Sequence, residues 1–517
     1  MAILDEPPDQ PEFRGLRAFL WPVHRYELKK LVPMLVIFFL LFLDYNILRS
    51  LKDVIVVTAK DSGARVIPFI KVWMLLPGAF LLTYIFTRLS NHLPMEQVFY
   101  WMLGIFLGYF ALFAFVIYPY RDQLHADQLA NYLQTVLPEG MGGFVAMIRY
   151  WSYTLFYVMA ELWSSAIMSM LFWGFANQVT RMREAKRFYG LLGIGANSSG
   201  IISGWISVEC CKIPFNPDLH FGEDAWHQTL TIQIVIVLAV GLIAIALFRW
   251  LNQVVLTDPR FYDPSEAKEE KKVIGHLSMR ESFSYLIRSP YLVCLAAIVL
   301  SYNIVINLTE VVWKHEVFTL HPDPIDYNRY MAKMNIIIGI AATFSSLVVA
   351  GNLIRRFGWT LTAILTPIVL FVTSIGFFGF LNLSNEMSNW VVLSLGLSPL
   401  AIAVMFGSIQ NAMSRAAKYS IFDATKEIAY IPLSSECKLR GKAIIDGIVS
   451  RAGKSGGSVV YQGLLIGLNS ITATIPYVAC FLFSVIAIWT VCTVVLGRRF
   501  NALTQEGVPR KPELVTS

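Results

Sequence analysis

The chain has 517 residues, of which 56% are hydrophobic and only 15% charged, with a formal net charge of +7 at pH 7. A soluble globular domain is nearer a quarter charged, so this composition excludes an ordinary soluble protein. Apolar stretches of about 20 residues recur along the chain, each long enough to cross a bilayer, and their continuous apolarity excludes a barrel built on two-residue alternation.

Residues 1–30 carry Arg14, Arg17, Arg25, Lys29 and Lys30 but no short apolar core with a small-residue cleavage site. They read as a cytoplasmic segment, not a cleaved signal. Candidate spanning helices then follow at 31–54, 66–88, 97–119, 143–176, 187–207 and 227–252, and at 290–313, 331–354, 359–383, 391–415, 441–467 and 471–497. They make an N-terminal six-helix half (31–254), a mixed-charge cytoplasmic linker (255–289), a C-terminal six-helix half (290–497) and a tail (498–517). Basic residues crowd alternate connections: the N-terminus, 177–187, Arg355 with Arg356, 415–442 and the tail. Positive charge marks the cytoplasmic side, so both termini are expected there. The six cysteines are scattered, with no metal or disulfide spacing, and are expected to be inert.

The halves echo each other. "YNILRSLKD" at 45–53 matches "YNIVINLTE" at 302–310, and "EAKRFYGLLGIGANSSG" at 184–200 pairs with "KLRGKAIIDGIVSRAGKSGG" at 438–457 at nearly the same offset. Two echoes in register indicate duplicated halves. The expectation is an all-α integral membrane protein: twelve transmembrane helices in two pseudo-symmetric six-helix halves of the major facilitator type, with a site near mid-membrane between them.

The first helix carries Asp44, Arg49, Lys52 and Asp53 inside an oily run. Wound at 100° per residue, Tyr45, Asn46, Arg49, Lys52 and Asp53 fall within about 120° of one another. A charge facing lipid at a helix centre costs roughly 2.5–3.5 kcal/mol, so the stripe is expected to face a watery cavity or partners. Arg49 and Asp53, four apart, are expected to pair. Helix seven repeats the pattern with Asn303, Asn307, Glu310 and Lys314, and helix four places Arg149, Tyr153, Tyr157 and Glu161 at four-residue steps. Tyr150 and Tyr153 are candidate surfaces for a planar ring, while Lys71 is expected only to snorkel. Lysines, arginines and aromatics suit an organic anion carrying phosphates and a base. The residues alone do not separate a nucleotide from other organic anions. "RAGKSGG" at 451–457 lacks the spacing of a phosphate loop and reads as close helix packing. No catalytic constellation or cofactor motif stands out, and loop charge explains the +7 without nucleic acid.

Five stretches are similar to the nucleotide transporter family, the ATP/ADP translocases of plastids, chlamydiae and rickettsiae: 48–71, 160–190, 256–264, "NLTEVVWK" at 307–314 and 422–457. The resemblance implies that Lys52, Glu161 and Glu310 are transport residues. It also implies a second-half lysine, for which Lys442 and then Lys454 are the candidates. It further implies a carrier and not an enzyme, in a cell inner membrane, acting on ATP, ADP or other ribonucleotides as a monomer. Exchange is the leading mode, and proton-coupled net import of several ribonucleotides is the alternative. Where the exchangers carry an acid after "YIPL", this chain has Ser434 and Ser435, and Thr309 and Val312 stand where other residues are commoner.

Overall fold

The computed structural model describes residues 23–180, 182–219, 221–258, 261, 286–348, 350–382, 389–390, 392–394, 396–433, 437, 441–442 and 444–505. The sequence-defined ends, most of the 255–289 linker, and Ser434 with Ser435 lie outside these residues. Among the described residues, twelve long helices appear in the expected order: α1 (Leu28–Val57), α2 (Val66–His92), α3 (Met95–Ile117), α4 (Trp151–Val179), α5 (Met182–Cys210) and α6 (Ala225–Val255), then α7 (Pro290–Leu320), α8 (Pro324–Val348), α9 (Ala350–Leu381), α10 (Pro399–Ala417), α11 (Ser450–Leu468) and α12 (Ile471–Gln505). Among the described residues, nine of them are long and apolar enough to cross a membrane. The other three, α8, α10 and α11, carry buried polar residues such as Asn328, Asn335, Gln410 and Ser458, which lowers their apolarity because they face other helices.

Helix four is shorter than its sequence signal. Tyr150 leaves helical geometry (φ −100°, ψ 48°), so Gly142–Arg149 forms a separate short helix before α4. The predicted four-step ladder from Arg149 to Glu161 is therefore broken at its start.

Aromatic stacking helps hold each bundle, since lipid offers no hydrophobic drive for helix association. Phe38 stacks on Phe172 at 4.0 Å, Phe99 on Phe248 at 3.8 Å, and Tyr302 on Phe422 at 4.4 Å. The start of α1 is clasped to α5 by Lys30 with Glu184 at 2.7 Å and by Arg187 with Glu27 at 2.5 Å.

The halves meet at the face bearing the C-terminus of α1, called here the far face, and at mid-depth. α5 crosses α8 so closely that a Cβ on Gly204 would lie 2.5 Å from the Ala332 carbonyl, a position only glycine fills. Asn335 Nδ2 donates to Ser50 Oγ (2.9 Å), Asn197 Nδ2 to Ser346 Oγ (3.2 Å) and Arg329 to the Cys211 carbonyl (2.9 Å). With the halves exchanged, α11 closes on α2. Gln462 Nε2 donates to the Pro68 carbonyl (2.7 Å), and Gly140 backs directly onto the Leu465 and Ile466 backbone. The two helices that make these equivalent contacts, α5 and α11, also contain or overlap the second pair of echoing stretches, 184–200 and 438–457.

Candidate functional site

Between the halves a chain of alternating charges runs across the molecule. Glu161 Oε2 of α4 lies 3.2 Å from Lys52 Nζ of α1, and Lys52 donates to Asp53 Oδ1 at 3.0 Å. Asp53 Oδ2 lies 2.8 Å from Lys314 Nζ of α7, and Lys314 lies 3.1 Å from Glu310. Glu310 then gathers Arg49 (3.8 Å), Lys71 (3.8 Å) and Arg415 (3.5 Å). Five cations thus meet three carboxylates, an excess of two positive charges drawn from α1, α2, α7 and α10. Lys52 also sits 3.9 Å over the Tyr157 ring, a cation–π contact that helps hold the buried ammonium.

This chain is partly open at its two ends and sealed in its middle. The side chains of Glu161 (26%), Arg49 and Glu310 (16% each) are partly open, whereas those of Asp53 and Lys314 are 1% exposed. Asp53 and Lys314 each lie beyond Arg49 and Glu310 along helices that run toward the far face. The arrangement is a charged wall along the seam, partly open at Glu161, Arg49 and Glu310, with a sealed ion pair toward the far face. Such a wall can take up an anion: guanidinium groups bind phosphate oxygens in pairs and ammonium groups as point charges.

The structure brings Arg49, Lys52, Asp53, Glu161 and Glu310 together, as the sequence implied, but pairs them differently. Arg49 does not take Asp53. Asp53 turns to Lys52 and Lys314, and Arg49 reaches Glu310 across the interface, because the carboxylate of the other half lies within its longer reach. Lys71 does not snorkel: it donates to Asn307 Oδ1 at 2.5 Å and faces Glu310, because α2 packs against the second half and not against lipid there. Lys314 joins them from the helix-seven stripe, and Lys71 and Arg415 extend the predicted set. A lysine within an apolar run was the signal for the first, whereas Arg415 was assigned to a loop by its position at a helix end.

Several predicted residues stand elsewhere. Arg149 is held by Asp127 (3.4 Å), Asn131 (2.8 Å) and Gln134 (3.3 Å), outside the wall, because the break at Tyr150 turns it away. Tyr150 donates to the Lys60 carbonyl, and its ring stacks on Tyr153 at 5.6 Å in a far-face aromatic group with His125 and Tyr118. Asn46 Nδ2 donates to Ser199 Oγ (3.1 Å), and Asn303 donates to the Val299 carbonyl and Ser450 Oγ, so both knit helices together. Lys442, the first second-half candidate, pairs with Glu427 at 2.7 Å with its side chain 43% exposed. Lys454 stands on α11 next to the wall: its carbonyl accepts from Asn307, the residue that also takes Lys71. Asp44 stays apart: it is fully buried, and neither carboxylate oxygen has a hydrogen-bond partner among the described residues. "RAGKSGG" is helical, and a Cβ on its Gly453 would meet α7 at 2.8 Å, as close packing requires.

Comparison with known proteins agrees with this architecture. The chain is similar to solved major facilitator structures, among them a bacterial homologue of the iron transporter ferroportin (TM-score 0.57, 12% identity, covering 92% of this chain and 100% of that one) and a D-xylose–proton symporter (TM-score 0.52, 13% identity, 91% and 97%). Among curated relatives it is 46% identical to ADP,ATP carrier protein 1 of Chlamydia muridarum, covering 95% of this chain and 92% of that one. It is 40% identical to chloroplastic ADP,ATP carrier protein 1 of Arabidopsis thaliana (93% and 75%) and 36% identical to ADP,ATP carrier protein 1 of Rickettsia conorii (97% and 99%). The profile of the TLC ATP/ADP transporter family matches residues 7–500, and with these relatives it shows that the chain belongs to that family.

Proposed function

We propose that the protein exchanges ATP and ADP across a membrane by alternating access, with its phosphate-binding groups on the wall of Arg49, Lys52, Lys71, Lys314 and Arg415 and with Lys454 beside it. The observation that carries this reading is the excess of cations over Asp53, Glu161 and Glu310 at the seam between the halves. A polyphosphate brings three or four negative charges, more than that excess of two, and so competes with the three carboxylates for their cations. The opposed nucleotide gradients supply the free energy. In this reading the face opposite the far face is cytoplasmic, the membrane is the cell inner membrane, both termini are cytoplasmic, and one chain suffices. The halves correspond to 31–254 and 290–497, and neither hydrolysis nor a cofactor is involved.

The test is uptake of labelled ATP, ADP, GTP, CTP and UTP into proteoliposomes with and without internal nucleotide. Stimulation by internal ATP or ADP, insensitive to an uncoupler, supports exchange. Uncoupler-sensitive uptake into empty vesicles points to proton symport instead, and no uptake of any nucleotide rejects the reading.

A further inference from the structure

We propose that Asp53 makes the carrier's reorientation depend on cargo: it is an internal anion that clamps the halves shut at the far face until a substrate phosphate takes its cations. The proposal rests on the polyphosphate reading above. Asp53 uses its two oxygens on different halves. Oδ1 accepts from Lys52 on its own helix at 3.0 Å, and Oδ2 meets Lys314 of the opposite half at 2.8 Å. The second contact is an ion pair without hydrogen-bond alignment, so it is held by charge and not by direction. Both of its side chains are 1% exposed, whereas the other cross-seam ion pairs among the described residues, Arg49 and Lys71 with Glu310, are longer at 3.8 Å and partly open. Screening is therefore weakest at Asp53 and Lys314.

Parting α1 from α7 breaks this pair. Separating a buried ion pair is costly when nothing replaces the lost partner. A phosphate entering at the partly open end of the wall, beside Glu161 or beside Arg49 and Glu310, competes for Lys52 and Lys314, the two cations that Asp53 occupies. It supplies the replacement, loosens the clamp and lets Gln462, Leu465 and Gly140 part from their partners. Without cargo the clamp holds, so the empty carrier stays closed at the far face and transport in one direction requires transport in the other.

The experiment compares the unsubstituted protein with Asp53→Asn and Lys314→Gln in two assays. The first is the ratio of nucleotide uptake into empty proteoliposomes to uptake into nucleotide-loaded ones. The second is labelling of a cysteine placed at Leu465 by an impermeant maleimide in intact expressing cells, net of the label taken by the parent protein. Both variants are expected to exchange more slowly, yet their empty-to-loaded ratio rises by about tenfold, a shift readily produced by loss of one charge pair. Leu465→Cys labelling without nucleotide rises in both. An unchanged ratio in an active variant overturns the proposal. If a variant is inactive, unchanged labelling at position 465 overturns it as well. Absence of exchange in the unsubstituted protein sinks the nucleotide reading instead, and the labelling still reports on the clamp.

Discussion

Lys52 Nζ lies 3.2 Å from Glu161 Oε2, which joins α1 to α4 within one half and starts the charge chain that Asp53 and Lys314 carry into the other. Tyr157 closes over the same ammonium from α4. Lys52 is thus the cation shared by both ends of the first-half wall, with two carboxylates and a ring committed to it.

Replacing Lys52 with Ala leaves Glu161 and Asp53 facing each other without their common partner. Two carboxylates then oppose an incoming polyphosphate where one ammonium had attracted it. Labelled ATP uptake should fall by about a hundredfold, in line with roughly 3 kcal/mol for a hydrogen-bonded charge. Protein abundance in the membrane, read by immunoblot, should persist. Uptake at the unsubstituted rate would show that Lys52 does not touch cargo.

Glu310 competes with cargo for four cations, Arg49, Lys71, Lys314 and Arg415. Glu310→Gln removes the competitor and keeps the shape. Nucleotide should bind about tenfold more tightly, equivalent to roughly 1.4 kcal/mol, and turn over more slowly because release now lacks the returning carboxylate. Equilibrium binding to purified protein together with exchange rates separates the two effects. Weaker binding would mean that Glu310 organises the cations and does not contend for them.

Lys442 and Lys454 separate cleanly. Lys442 pairs with Glu427 on an exposed surface, and such pairs contribute about 0–1 kcal/mol, so Lys442→Ala should leave the half-saturating ATP concentration within about twofold. Lys454 stands next to the wall, its carbonyl held by Asn307, and Lys454→Ala should raise that concentration about tenfold or more. The reverse ranking in concentration-dependent uptake would move the second-half phosphate site to the α10–α11 connection.

His125 lies outside the spanning segments, its ring 4.8 Å from that of Tyr150 and 5.2 Å from that of Tyr153. Burial there holds its imidazole below the ordinary value, with Arg121 and Arg149 acting in the same direction against Asp127 and Asp122. The unfolded chain therefore binds this proton more readily than the folded one. The stability it contributes is present above about pH 6.5 and is lost as pH falls through that value. Thermal unfolding of purified protein should shift downward from pH 7 to pH 5, and His125→Gln should flatten that shift. An identical pH dependence in the variant would remove His125 from the account.

The twelve helices, the duplicated halves and the charged stripe of α1 were legible in the sequence because they follow from local rules: length against bilayer thickness, period against helix pitch, and the cost of a charge in lipid. Arg49, Lys52, Asp53, Glu161 and Glu310 could be chosen on that ground. Which of them pair could not. A four-residue step made Arg49 and Asp53 neighbours on one helix, yet each finds its counter-charge across the seam, on Glu310 and Lys314, because the second half brings those groups as close as the same helix does. Lys71 read as a snorkelling side chain until the packing of α2 against α11 brought it to Asn307 and Glu310 of α7. Arg149 fitted a helical ladder with Tyr153, Tyr157 and Glu161 until the backbone at Tyr150 broke it. Spacing along a chain determines which residues share a face. Only the assembled bundle decides what that face meets, because a partner more than two hundred residues away leaves no trace in local periodicity.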